Sequence, residues 1–347
     1  MAGLNSTNLS LMDLTKSNYG ADSDAYGVAE LLSTYNPITQ YLTWQEANGT
    51  SSHKVYVRDT LPSVQWGSFN KGTASSKATM KEVVETMGFL EGLSETDVKV
   101  LAYGNNENKI RFDQDKAFIE SLAQEFASTF FYGDIVTNPN GFKGLANRYN
   151  SLSGNIARSV VNGGGSGSDN TSIYIMNIGD DSTYGVYPKG SKAGIQTLNK
   201  GEYNKPDPDG NTMFVKGTYF RWDCGLAVAN PYNTVRIANI DRSDLNGGSA
   251  ADLVNLILEG ISRLPIPPQG FIPVPALGYN DAVKPAGGRK TAILCNRSVA
   301  MKLRQQANAK TINGLAIGEA FGTMYAHVEG IPILSCDAIT NSESTVA

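Results

Sequence analysis

The sequence contains few of the residues from which metal and redox sites are built. Its 347 residues include two histidines, His53 and His327, and three cysteines, Cys224, Cys295 and Cys336. No HExxH, His-x-His or CxxC spacing occurs, so we expect no transition-metal site. Three widely spaced cysteines do not make a disulfide framework, and we expect them to be buried free thiols.

Long apolar runs and a large excess of one charge are also missing. No run approaches the roughly 20 apolar residues that cross a bilayer, and the first residues lack the basic and apolar blocks of a signal peptide. Lys and Arg number 29 against 33 Asp and Glu, a formal net charge of −4. We therefore expect a protein made in the cytoplasm, with no membrane partner and only weak, salt-sensitive contact with nucleic acid.

No arrangement typical of a catalytic or cofactor site is present. The sequence has no G-x-S-x-G, and its two histidines lie in strand-like segments, where structural roles are the commoner ones. The acidic pairs Glu82/Glu85 and Asp180/Asp181 are expected to be exposed. The glycine tract at 162–167 precedes a predicted strand, which is the wrong order for a phosphate-binding loop. We expect no enzyme activity, catalytic residue, metal or cofactor.

Periodic apolar residues predict a β-rich α+β protein. Phe118, Leu122, Phe126 and Phe130 recur at four-residue steps, which predicts a long helix at 115–131. The same reasoning predicts shorter helices at 249–264 and 298–306. Alternating or continuous apolar runs predict strands at 79–90, 172–176, 219–222, 225–228, 234–240 and 291–295.

The stretch from 45 to 77 has a period of two and predicts a long two-stranded projection. The alternation continues beyond Pro62 through Val64. A lone hairpin is at best marginally stable in water, so the projection needs a partner surface. We infer that a neighbouring copy of the chain covers its apolar residues; the alternative is a hairpin that folds back on its own domain. The candidate subunit contacts are Val55, Val57, Trp66 and Phe69.

Several sequence blocks, in order along almost the whole chain, resemble one protein family. They are VAELL at 28–32, LPSVQW at 61–66, NKG at 70–72, FYGD at 131–134, NPNGFKGLANRY at 138–149, YPKGSKAG at 187–194, WDCGL at 222–226, VRIANID at 235–241 and GIPI at 330–333. Together they resemble the major capsid proteins of short-tailed bacteriophages of the epsilon-fifteen type.

This resemblance implies the Hong Kong 97-like capsid fold. It implies an N-terminal arm at 1–40, an extended β-hairpin loop at 41–78, a peripheral domain at 79–132 and 315–347 with a long spine helix, and an axial domain at 133–314 with hairpin insertions. Residues 218–241 are a candidate further part of the peripheral domain.

The function implied is that of a major capsid protein, found in the virion and assembled in the host bacterial cytoplasm. Copies of the chain would form the pentamers and hexamers of an icosahedral shell around double-stranded DNA. The implied partners are a scaffolding protein, a portal protein, a decoration protein and, through weak contacts, the packaged DNA. The short arm leaves no room for a fused scaffolding domain, so we expect the scaffold to be a separate protein. The alternatives are a cellular nanocompartment shell, a receptor-binding or decoration protein, and an enzyme.

Overall fold

The computed structural model describes residues 36–103, 106–207, 209–247, 251–264, 290–309, 316–320 and 323–347. The helices in these residues are α1 (Ile38–Tyr41), α2 (Val98–Tyr103), α3 (Glu107–Tyr132), α4 (Leu145–Arg148), α5 (Arg242–Asn246), α6 (Leu253–Arg263) and α7 (Arg297–Ala309).

The strands are β1 (Trp44–Glu46), β2 (Ser52–Thr60), β3 (Thr79–Asp97), β4 (Val160–Asn162), β5 (Asn170–Ile178), β6 (Thr183–Tyr187), β7 (Gln196–Pro206), β8 (Thr212–Val228), β9 (Thr234–Asp241), β10 (Lys290–Cys295), β11 (Ala316–Ala320), β12 (Thr323–Val328) and β13 (Ile331–Ser335).

The described residues divide into two compact units. The first unit contains Phe89–Phe126 and Lys192–Cys224, and the second contains Tyr35–Gly88, Ala127–Ser191 and Gly225–Ala347. The long elements β3, α3 and β8 contribute residues to both.

The second unit is built around β5, which is buried along its whole length. β5 pairs antiparallel with β9 on one side and with β10 on the other, so that Ile175 lies opposite both Val235 and Ile293. A strand covered on both faces needs a continuous apolar sequence, and residues 173–176 supply one. Helices α6 and α7 pack with these strands in a single apolar cluster, to which Ile257 and Val299 belong.

The first unit has two layers. β7 and β8 form an antiparallel hairpin from the Gln196–Arg221 pair to the Pro206–Thr212 pair. α3 packs on one face of these strands. The Phe118 ring stacks on Phe220 at 5.9 Å between centroids, and the Phe126 ring lies 4.7 Å from that of Trp222. The aromatic residues that predicted the helix therefore form its contact with the sheet.

A C-terminal segment at 336–347 is fixed to the second unit through a buried ion pair. The Glu343 carboxylate accepts a hydrogen bond from Arg236 Nη2 at 2.8 Å, one from Tyr132 Oη at 2.5 Å, and one from the Ser172 hydroxyl. Both charged side chains are about 95% buried, with exposed fractions of 4% and 5%. Burial opposes the charge of Arg236, but Tyr174 and Glu343 hold its pKa above the ordinary value.

Most predicted elements are confirmed, several with longer bounds. The helix predicted at 249–264 is shorter, Leu253–Arg263, and the strands predicted at 219–222 and 225–228 are both parts of β8. The helix predicted at 115–131 begins eight residues earlier, at Glu107, and the strand predicted at 79–90 extends to Asp97. The predicted arm lies outside the described residues up to position 35. The three cysteines are buried free thiols, as expected, and burial raises the pKa of each to about 12.

The prediction of a strand through Val64 and Trp66 is wrong. β2 pairs instead with β3, from Ser52 opposite Thr86 to Thr60 opposite Thr79, and residues 61–78 carry no strand. Proline lacks the amide that a ladder needs, and the glycine, serine and lysine residues that follow Pro62 disfavour a strand. The projection is therefore two strands joined by a long irregular loop.

Candidate functional site

The β2–β3 hairpin of the second unit is anchored at its base by a buried cluster. Arg148 donates two parallel hydrogen bonds to the Glu85 carboxylate, at 2.6 and 2.7 Å. His53 Nε2 lies 2.9 Å from Tyr184 Oη, and His53 Nδ1 accepts the Asn48 amide at 3.3 Å. Glu85 was expected to be exposed, but it is 4% exposed, because odd-numbered residues of β3 here face inward. The cluster fixes the hairpin base to the body of the unit.

The loop at 61–78, here called the exposed loop, makes little contact with its own chain. Trp66 and Phe69 are fully exposed, and Val64 is 92% exposed. A turn at its tip is closed by a hydrogen bond from the Lys71 amide to Ser68 O, with Asn70 in the left-handed region at φ 63°. Large apolar side chains in this state are typical of a surface that another molecule covers.

The four predicted contact residues fall into two pairs. Val55 is 7% exposed and belongs to an apolar cluster with Tyr184 and Val186, against which Val57 also packs. These two valines are thus covered, wholly or partly, by their own chain. Trp66 and Phe69 lie on the exposed loop, apart from this cluster. The assignment of all four residues to subunit contacts stays a prediction. Of the four, Trp66 and Phe69 are the ones whose apolar side chains are fully exposed.

A second exposed apolar surface lies in the first unit, on the face of the sheet away from α3. Gly92 and Phe220 face the helix, so the alternating residues of the strands point the other way. Leu198 pairs with Tyr219 across the β7–β8 ladder. We call this surface the outer face; its members are Phe89, Glu91, Leu93, Leu198, Tyr219 and Arg221.

The outer face combines apolar and charged groups. Phe89 and Leu198 are each 58% exposed and Leu93 is 41% exposed. The Arg221 guanidinium lies 5.4 Å from the Phe89 ring centroid, and the Tyr219 hydroxyl donates to Glu91, an interaction that raises the pKa of Tyr219. Aromatic residues and arginine are enriched in protein interfaces relative to the rest of the protein surface.

The Glu95 carboxylate joins β3 to β7 of the β7–β8 hairpin in the same unit. Glu95 accepts hydrogen bonds from the Tyr203 hydroxyl and from Lys205 Nζ. Burial alone would raise the pKa of Glu95, but these two donors hold it below its usual value. The outer face is therefore presented on strands that are already rigidly joined.

Sequence reasoning missed the outer face and both buried ion pairs. Leu198 is isolated among polar neighbours, and although Phe89 lies in the strand predicted at 79–90, nothing local indicates which face of that strand stays exposed. The pairs Arg148–Glu85 and Arg236–Glu343 join residues 63 and 107 positions apart. One signal was available: Glu85 lies on the same strand face as Val83 and Met87, which points to burial.

Within the described ranges, no group of three or more His, Cys, Asp or Glu side chains is placed to hold a metal ion. No helix in the described part of the chain combines the length and apolar character that crossing a membrane requires.

The fold matches that of a phage shell over the whole chain. A chain of the bacteriophage epsilon15 structure shares 24% sequence identity, with 100% of this chain and 99% of that chain covered and a TM-score of 0.73. A chain of the native GTA particle capsid shares 10% sequence identity, with 61% of this chain and 92% of that chain covered and a TM-score of 0.45. A chain of the holo-SrpI encapsulin complex of Synechococcus elongatus PCC 7942 shares 11% sequence identity, with 67% of this chain and 96% of that chain covered and a TM-score of 0.44. The fold class is thus that of the Hong Kong 97-like phage capsid proteins, as the sequence blocks implied.

The chain belongs to the family Major capsid protein GP7, which matches residues 20–347. It is therefore a shell-forming capsid protein and a component of the virion. No curated protein matches this sequence.

Proposed function

We propose that copies of this chain form pentamers and hexamers of an icosahedral shell around phage double-stranded DNA. In this proposal the exposed loop of one copy packs on the outer face of the first unit of its neighbour. The observation that supports this contact is that Trp66 and Phe69 are fully exposed on a loop held at its two ends by the paired strands β2 and β3. The chain has two exposed surfaces with apolar side chains, and in this proposal assembly of identical copies brings them together.

The contact is heterologous, since one surface meets a different one. Heterologous contacts close into rings when the rotation between copies permits, and rings of five and six are the ones a closed shell needs. An aromatic side chain buries about 150–250 Å². At ~25 cal/mol per Å², each of the two contributes roughly 4–6 kcal/mol before the cost of ordering the loop.

The domain boundaries that the resemblance implied are retained as part of the proposal. The arm comprises 1–40, the extended loop 41–78, the peripheral domain 79–132 and 315–347, and the axial domain 133–314, of which 218–241 is a candidate further part of the peripheral domain. Support comes from the position of the described elements, because β2 lies within the extended loop and α3 lies within the peripheral domain.

We also propose partners beyond the chain itself. A separate scaffolding protein directs assembly in the host cytoplasm, a portal and a decoration protein complete the particle, and packaged DNA touches the wall weakly. The near-neutral charge, −4 formally, supports weak DNA contact, since tight phosphate binding would hinder packaging and release. Closed, regular shells formed by the chain expressed alone would contradict the need for a scaffold.

The loop contact is tested by replacing both aromatic residues, Trp66→Ala with Phe69→Ala. We expect the yield of shells to fall sharply while the subunit keeps its unfolding free energy, because both side chains are fully exposed in the described part of their own chain. Gln65→Ala, in the same loop, is the matched control and should assemble normally. An unchanged yield from the double variant would mean that the aromatic residues are not anchors.

The receiving surface is tested by Leu198→Ser, alone and combined with Trp66→Ala. If the two side chains meet across the interface, the loss in assembly free energy of the combined variant is smaller than the sum of the single losses. Strictly additive losses would place the exposed loop on another surface.

A further inference from the structure

Asparagine followed by glycine is prone to deamidation, because glycine leaves its amide nitrogen free to approach the preceding side chain. Five such pairs occur, and they begin at Asn48, Asn140, Asn162, Asn246 and Asn313. The structure describes the side chains of the first three. Their surroundings differ, and the differences predict which of the three reacts.

Two of the three asparagines are held by hydrogen bonds. Asn48 Nδ2 donates to Lys54 O at 2.8 Å, and Asn48 Oδ1 accepts the Lys54 amide at 2.9 Å. Asn162 Oδ1 accepts two hydrogen bonds, and the next amide, that of Gly163, donates to Ala238 O at 2.7 Å. In both, the side-chain carbonyl carbon cannot rotate towards the following nitrogen without breaking these bonds.

The Asn140 side chain has no such restraint. It lies in an exposed turn of the second unit, and its side chain makes no hydrogen bond to another described residue. The Gly141 amide donates only to Asn138 O, at 3.2 Å, across the same exposed turn. Opening that one long hydrogen bond frees the nucleophile.

We propose that Asn140 is a site of spontaneous deamidation in this protein. The Gly141 nitrogen loses its proton and bonds to Asn140 Cγ; the Cγ–Nδ2 bond breaks, and ammonia leaves with that proton. Water then opens the resulting cyclic imide at one of its two carbonyl carbons. The products are aspartate and isoaspartate, each with a new negative charge, and the rate rises with pH because the amide must first be deprotonated.

The reaction has a structural consequence at β3. Asn140 O packs so closely on Gly88 that a Cβ built on that glycine would lie 2.4 Å from it. Isoaspartate lengthens the main chain by one methylene at this point, and the close packing leaves no space for it. The modified turn is expected to separate from β3 and to become sensitive to protease.

The test is to incubate the purified full-length chain at mildly alkaline pH and to map its peptides by mass spectrometry. We expect aspartate and isoaspartate at position 140 to accumulate several-fold faster than at 48 or 162. In denaturant the three sites should react at similar rates, because the restraints are lost. Equal rates in the folded protein, or no conversion at Asn140, would overturn the proposal.

Gly141→Ala is the matched variant. A Cβ at this position would lie 3.6 Å from its nearest neighbour, an ordinary contact, so the turn should keep its fold. Conversion at Asn140 should slow strongly, because the methyl group hinders ring closure. A variant that deamidates as fast as the parent would contradict the mechanism. This test needs no assembly, and its outcome is independent of the proposed shell contacts.

Discussion

Single residues at the hairpin base make the second unit sensitive to acid. His53 is 8% exposed, and its Nδ1 accepts a backbone amide, so the ring is bonded in its neutral form. Burial lowers the pKa of His53 below the ordinary 6.5, and the negative charge of Glu85 offsets this in part. The other groups around it are Tyr184 and Arg148, and the latter is already paired with Glu85.

The sign of the resulting pH dependence follows from the lowered pKa. The unfolded chain binds a proton on His53 near 6.5, whereas the folded chain resists it, so stability is complete above that pH and is lost as pH falls through the folded pKa. One such proton changes the unfolding free energy by at most about 1.4 kcal/mol per pH unit.

His53→Gln removes this titration and keeps a polar side chain. We expect the unfolding free energy of the variant, followed by denaturant titration between pH 8 and pH 5, to fall less steeply than that of the parent. Parallel curves would show that His53 is not the residue responsible.

Among whole elements, the C-terminal segment contains one member of a buried ion pair. The segment at 336–347 is joined to the second unit through Glu343, and Val346 and Asn239 exchange two further hydrogen bonds, at 2.8 and 2.9 Å. Removing one partner of a buried pair leaves the other charge without compensation. Further hydrogen bonds join the segment to the rest of the unit, among them Thr171 Oγ1 to Thr340 O and Asn296 Nδ2 to Ile339 O. The ion pair is thus one of several anchors, and its two charges are both buried.

Glu343→Ala should lower the unfolding free energy by about 3–5 kcal/mol, because Arg236 stays buried and charged. Limited proteolysis should then cleave within 336–347. Glu259→Ala breaks an exposed pair with Arg263 and serves as control, with an expected cost of about 0–1 kcal/mol. Equal, small effects of the two substitutions would mean that the pair does not hold the segment.

The elements themselves were largely readable from sequence, whereas the contacts between distant residues were not. The helix α3 and the strand β5 follow from local apolar spacing, since Phe126 and Ile175 belong to regular runs. The pairing of β2 with β3 was missed because apolar alternation continues past Pro62, although that stretch carries no strand and is exposed among the described residues. The outer face depends on which side of the strands α3 covers, and no local pattern encodes that choice.

At the scale of the whole molecule, the chain is a subunit whose exposed surfaces suit contact with copies of itself. The family and the fold establish a shell protein. The proposed addition is that the exposed loop of each copy is completed by the outer face of the next. Many such contacts made together around a closed shell give an assembly far more stable than any one of them.

The most direct test of this account is a cryo-electron microscopy map of the assembled shell, at a resolution that shows aromatic side chains. The account predicts that Trp66 and Phe69 lie against a neighbouring copy, close to its Leu198 and Phe89. It is contradicted if both rings pack on their own chain, or if the loop projects into solvent with the neighbouring outer face uncovered.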